Sequence, residues 1–261
     1  MPATRTPPAA NQVTITEEGD FRIIRSNDIP AHKVGRFPNP GNPNEISEQQ
    51  LNLRLPLHPT PNIVSSEMRG PIGVAVNGVY FDPGTAEVWR GDRSLGWNYE
   101  ALGGAVRLGL DANYAHVQPG GKYHYHGSPT GYLKGISFSP QKHSPLIGWA
   151  IDGFPIYALY GYDDPQDETS VIKKLKTSYR LKSGSRPRSP EGPGGRYDGA
   201  FVQDYEFVKG LGDLDDANGR FTKTPEFPDG TYAYFLTKDW PVIPRRLRGT
   251  PVETLQNPHG H

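Results

Sequence analysis

The sequence predicts a mainly β fold: a single domain, sandwich-like or a partly open barrel, with long Pro/Gly-rich loops and few short helices. Three observations carry that expectation. Glycine (31) and proline (27) make up close to twice the average share of the 261 residues, so turns are frequent. The chain nevertheless holds 14 Tyr, 10 Phe and 4 Trp, apolar area that a disordered chain lacks. Where the apolar residues are ordered, they alternate with period two or run on continuously, as half-buried and fully buried strands do.

Taken in chain order, residues 1–13 read as a flexible N-terminal arm and residues 14–261 as one β domain. Within the domain, 14–62 form an extended wrap and 63–261 the core. Thr14–Ser26 alternates and can pair as a strand. Pro38, Pro40, Pro43, Pro56, Pro59 and Pro61 forbid a sustained helix over 35–62, because each removes a donor and pushes its predecessor toward extended backbone. Ile46, Leu51, Leu53, Leu55 and Leu57 there can bury one face. Over 72–82, Ile72, Val74 and Val76 alternate up to Asn77-Gly78, and Val79-Tyr80-Phe81 follow. That pattern predicts a hairpin on a type I′ turn, with positive φ at both central residues. Asn218-Gly219 precedes a second strand-like run at 230–237, and 146–160 is apolar enough for a buried strand pair. Ser47–Leu53 and Asn98–Leu102 are the places where a turn or two of helix fits. Residues 181–196, rich in Ser, Arg, Gly and Pro, read as a mobile loop.

Charge and composition exclude several function classes. Lys plus Arg equals Asp plus Glu at 28 each, which leaves no cationic excess for nucleic acid or an anionic membrane. The chain has no cysteine, so disulfides, thiolate metal sites and a cysteine nucleophile are excluded. No run of 18 apolar residues is present to span a bilayer, and the first residues lack the apolar core of a signal peptide.

The chemistry concentrates at 116–143, which holds four of the eight histidines. In an extended Tyr123-His124-Tyr125-His126, the two imidazoles share one face and the two phenols the other. Pro119-Gly120-Gly121 is turn chemistry that folds the preceding segment back and brings His116 alongside the pair. Three imidazoles converging at metal–nitrogen distance make a three-histidine centre for zinc or copper, with a fourth position open. The bland alternative is a polar strand face whose imidazoles bond backbone groups. Asp111 and Asp152 are candidate acceptors that orient a ligand imidazole. His143 and Asp152, with Ser144, supply the residue types of a hydrolytic triad, but no nucleophile elbow surrounds the serine. Asp213–Gly219 hints at a calcium loop yet places Leu214 and Pro225 at ligand positions, so it fails as an EF-hand. Gly192-Pro193-Gly194-Gly195 lacks the lysine of a phosphate loop.

Tyr123-His124-Tyr125-His126 is also the motif of the YHYH-domain family, and the likeness extends to 29–44, 73–89, 96–104, 108–127, 147–162 and 214–237. The chain resembles that family over roughly residues 20–250. The resemblance implies one domain, a bacterial and often exported protein of periplasmic or secreted location, and His116, His124 and His126 as functional residues. His32, in another family-like segment, joins them as a candidate ligand. Members of the family carry cysteine near Ala217, so a disulfide of exported relatives is missing here. Three uses of the histidines follow: a metal-dependent hydrolase or hydratase on a small substrate, with His143 and Asp152 assisting; a copper-binding protein or histidine-only copper oxidoreductase; or a structural β module without metal.

Overall fold

The structure, a computed structural model, describes residues 5–252. The chain begins with a hairpin, β1 (Val13–Glu18) and β2 (Phe21–Ser26), to which β3 (Leu51–Pro56) adds antiparallel on the far side of β2. Leu53 and Leu55 of β3 are buried while Asn52 and Arg54 are exposed, so period two decides the segment against the helix expected at Ser47–Leu53. Residues 5–12, expected as a flexible arm, lie along the body. Arg5 and Val34 exchange main-chain hydrogen bonds, and the Asn11 amide donates to the carbonyls of Ile29 and Asn77.

The principal sheet is built from the segments that follow β4 (Ser66–Glu67). They are β5 (Gly73–Ala75), β6 (Tyr80–Phe81), β7 (Ala115–Val117), β8 (Tyr123–Tyr125), β9 (Leu146–Ala150) and β10 (Pro155–Tyr157), with two late strands, β15 and β16, given below. The β5–β6 hairpin forms where Asn77-Gly78 placed it, but the turn differs from expectation. Gly78 alone has a positive φ, +82°. Gly78 N–H bonds Ala75 O and Ala75 N–H bonds Val79 O, a type I turn followed by a left-handed glycine. Asn77 spends its side chain elsewhere: Oδ1 accepts from Val79 N–H and Nδ2 donates to the Tyr125 hydroxyl at 2.9 Å. The buried pair expected at 146–160 is present as β9 and β10, antiparallel across Asp152-Gly153.

A short helix, α1 (Thr130–Gly135), lies between β8 and β9. Residues 98–102, where a turn or two of helix fits the sequence, start extended, with Asn98 bridging Val88 and Tyr99 bridging and stacking on Phe201, and end in a turn that Gly103 N–H closes on Glu100 O. Two hairpin-like pairs follow, β11 (Tyr160–Tyr162) with β12 (Ile172–Lys174) and β13 (Tyr179–Leu181) with β14 (Tyr205–Phe207). The 181–196 segment, expected to be mobile, is tied down by Arg186, whose guanidinium bonds the fully buried Asp204 carboxylate and also reaches Asp198. The late strands β15 (Gly219–Thr224) and β16 (Phe227–Phe235) complete the principal sheet, and β17 (Arg246–Leu247) pairs with β4.

That sheet runs β15-β16-β10-β9-β5-β6-β8-β7, with β6–β8 and β10–β16 parallel. Its core gathers Val74, Phe81, Tyr123, Tyr125, Ile147, Ile156 and Tyr234 with Ile24, Leu53 and Leu55 of the three-stranded sheet. The fold is thus mainly β, with no closed barrel and one short α-helix among the described residues. No helix there is long and apolar enough to cross a membrane.

Candidate metal centre

Strand β8 is two-sided, as its alternating sequence requires. His124 pairs directly with His116 of β7, and Tyr125 with Ala115. Partners in register carry their side chains on the same face of a sheet. His116 and His124 therefore meet, and His126, two residues beyond His124, joins them. The ring centroids stand 4.7 Å apart in all three pairings, and one nitrogen from each ring lies within 4.8 Å of the others. His124 and His126 are 1 % and 2 % exposed. No cysteine, aspartate or glutamate joins them within that distance among the described residues.

The main chain orients these rings. His116 Nδ1–H donates to Leu108 O at 2.8 Å, which leaves its Nε2 as a bare lone pair. His124 Nδ1 faces Lys122 O at 3.4 Å, which favours the same tautomer. The 3.0 Å contact between His124 Nε2 and His126 Nε2 then assigns the shared proton to His126. His126 Nδ1 is left buried with no hydrogen-bond partner. An ion bound at Nε2 would leave Nδ1 as the nitrogen of His126 that carries the proton. Bonds of 2.0–2.1 Å at a tetrahedral angle put neighbouring nitrogens about 3.3 Å apart. One pair already meets that spacing, and the widest must close by roughly 1.5 Å.

Burial holds His116 below the ordinary imidazole range despite the opposing Leu108 carbonyl and Glu87. His126 lies well below it, through burial first and then the charges of His124, His116 and Arg245. Both are neutral at pH 7, the form that ligates. Arg245 donates to Pro83 O at 2.8 Å and to both oxygens of the buried Glu100 carboxylate, which also accepts from Trp240 Nε1–H. A cavity of about 440 Å³ is lined by Leu102, Arg107, Leu108, Asp111 and Tyr114 among others, and by none of the three histidines. Its Leu108 wall carries the carbonyl that holds His116.

The remaining sequence candidates lie elsewhere. His32 is on the opposite face of β8: its Nε2 accepts from the Tyr125 hydroxyl at 2.6 Å and its Nδ1–H donates to Lys33 O, so both nitrogens are engaged. Asp111 is on that same face, accepting from Tyr123 O–H and Gly35 N–H rather than from an imidazole. His143 packs edge-on against Tyr157 with Nδ1 on Ser144 O, and the Ser144 hydroxyl accepts from Tyr160 N–H. Asp152 accepts from Tyr234 O–H and Gly249 N–H. These three residues do not form a triad, and burial raises Asp152 above the usual carboxylate range. The acidic 213–219 loop is neutralised from within, since Arg248 binds both Asp215 and Asp216 at 2.6 Å.

One residue on the histidine face was missed. Strand β6 lies parallel to β8 with Tyr80 opposite His124, and Asp82 N–H donates to Tyr125 O, so Asp82 sits beside His126. The alternation Tyr80-Phe81-Asp82 was the available signal, but a parallel pairing across the intervening segment cannot be read from composition.

A family model described as YHYH protein matches residues 52–249. No curated protein and no solved structure shows significant similarity to the chain.

Proposed function

This chain belongs to the YHYH family, and on that footing we propose that it binds one transition-metal ion, zinc or copper, at His116, His124 and His126. The observation that carries the proposal is the convergence of three imidazole nitrogens within 4.8 Å, with main-chain carbonyls behind two of the rings. Three neutral imidazoles leave one position of a tetrahedral ion for water, and an ion in such a site lowers the pKa of that water to around 7. We assign the centre to hydrolysis or hydration of a small substrate, with the cavity at Leu108 and Tyr114 as its approach. A second reading, copper held for storage or delivery, is favoured by the near-complete burial of His124 and His126. A periplasmic or secreted location is part of the proposal and rests on family resemblance alone.

Metal analysis of protein purified without a histidine tag tests the reading. One equivalent per chain is expected, lost in the His124→Ala/His126→Ala double variant. Uptake below a tenth of an equivalent by folded wild-type protein overturns it. The optical and spin-resonance spectra of the loaded protein separate zinc from copper, and turnover of small ester and anhydride substrates separates the hydrolase from the carrier.

A further inference from the structure

Asp82 supplies a carboxylate on the histidine side of the sheet, placed there by the alternation along β6 and by a contact with Gln118. Phe81 of β6 is on the tyrosine face, with its ring 5.7 Å from that of Tyr125, so the next residue along this extended backbone, Asp82, points to the other side. Gln118, two residues after His116 on β7, donates from Nε2 to Asp82 Oδ2 at 3.4 Å. Tyr80, in register with His124, has its phenol raised well above its ordinary range, by burial first and by the charges of Asp28 and Asp82 after it. Asp82 is 7 % exposed. Neighbouring strands lie about 4.8 Å apart, so a side chain next to His126 reaches the space in front of the trio. Asp82 is outside the tight group of nitrogens itself.

Electrostatics gives this placement a purpose. Three neutral imidazoles bring no charge to a divalent ion, and a buried uncompensated +2 is costly. A carboxylate one water away offsets part of that charge and fixes the water by accepting its hydrogen bond. We propose that Asp82 is the positioning carboxylate of the centre, accepting a hydrogen bond from the water in the fourth position and selecting divalent over monovalent ions. The inference rests on the three-histidine reading above and deepens it toward the divalent, water-activating use.

The test compares wild-type, Asp82→Asn and Asp82→Glu, each as the full chain stripped of metal by chelator dialysis. Affinities for Zn(II) and Co(II), and for Cu(I) without oxygen, are read by competition with chromogenic chelators. Asp82→Asn is expected to weaken Zn(II) and Co(II) about tenfold or more while Cu(I) stays within twofold, and Asp82→Glu to restore at least part of the loss. Retained Cu(I) binding reports that the trio is intact, so unfolding cannot mimic the result. The Co(II) visible spectrum is expected to keep its four-coordinate intensity in Asp82→Asn. Equal losses for Cu(I) and Zn(II), or no loss for either, overturn the role of Asp82. A changed coordination number would make it a direct ligand and overturn the water-bridged role. Wild-type protein that takes up no ion at all defeats the centre itself, an outcome distinct from wild-type binding that Asp82→Asn leaves untouched.

Discussion

Replacing Tyr125 by phenylalanine separates the two faces of β8. The ring is fully buried among Phe81, Tyr123 and His32, so phenylalanine fills the same space and opens no cavity. What disappears is one hydroxyl that donates to His32 Nε2 at 2.6 Å and accepts from Asn77 Nδ2 at 2.9 Å. Asn77 is 4 % exposed, so its amide loses a buried acceptor, a desolvation cost of about 1–3 kcal/mol. His32 is half-buried and regains water, which adds little. The expected loss of stability is thus about 2 kcal/mol by urea unfolding of the metal-free protein, with the slope unchanged. Metal affinity is expected to stay within twofold, because the hydroxyl is on the side of the sheet away from the three imidazoles. A variant as stable as wild type would refute the hydrogen-bond argument, and a tenfold fall in affinity would refute the two-sided strand.

Two further outcomes follow from the same geometry. His116 and His126 titrate below the ordinary imidazole value through burial, as do His32 and His143. At these four imidazoles the unfolded chain takes up protons first as pH falls, so their contribution to stability is present above about pH 6.5 and lost progressively below it, and it outnumbers the opposite contribution of the buried Asp28 and Asp152 carboxyls. Denaturation midpoints of the metal-free protein between pH 7.5 and 5 check the sign, and a midpoint that rises on acidification contradicts it. Arg186→Ala removes the partner of a fully buried Asp204 carboxylate that also accepts from Gly199 N–H and Phe201 N–H. Stranding that charge is expected to cost about 3–5 kcal/mol, read by thermal or urea unfolding, and a loss under 1 kcal/mol would mean the segment is not anchored there.

The residues that were legible in the sequence are those whose partners are near in sequence. Alternation and the Pro119-Gly120-Gly121 turn suffice to set His116 opposite His124, and the Asn77-Gly78 and Asp152-Gly153 pairs suffice to mark two antiparallel connections. Alternation also put Tyr123 and Tyr125 on the far side of β8, but it carries no information about which remote loop covers them. His32 and Asp111 were consequently grouped with the metal face although they serve the phenols. Asp82 escaped notice for the converse reason: it reaches the site through a parallel pairing, which no turn signal announces. The type of the Asn77-Gly78 turn was misjudged because Asn77 is held by Tyr125, a tertiary contact that outweighs local preference.

Strand β7 is the outermost of its sheet and three residues long, with β8 as its one strand neighbour and with Asn42, Asn44 and Asp111 bonded to its outer edge. It brings His116 to the trio while β8 and its continuation bring the other two, so an ion there would rivet the sheet's margin to its interior. Amide exchange at Ala115–Val117 would then slow on loading far more than exchange in β9 or β10. Ion and hem would be a single device, and emptying the protein would loosen that border.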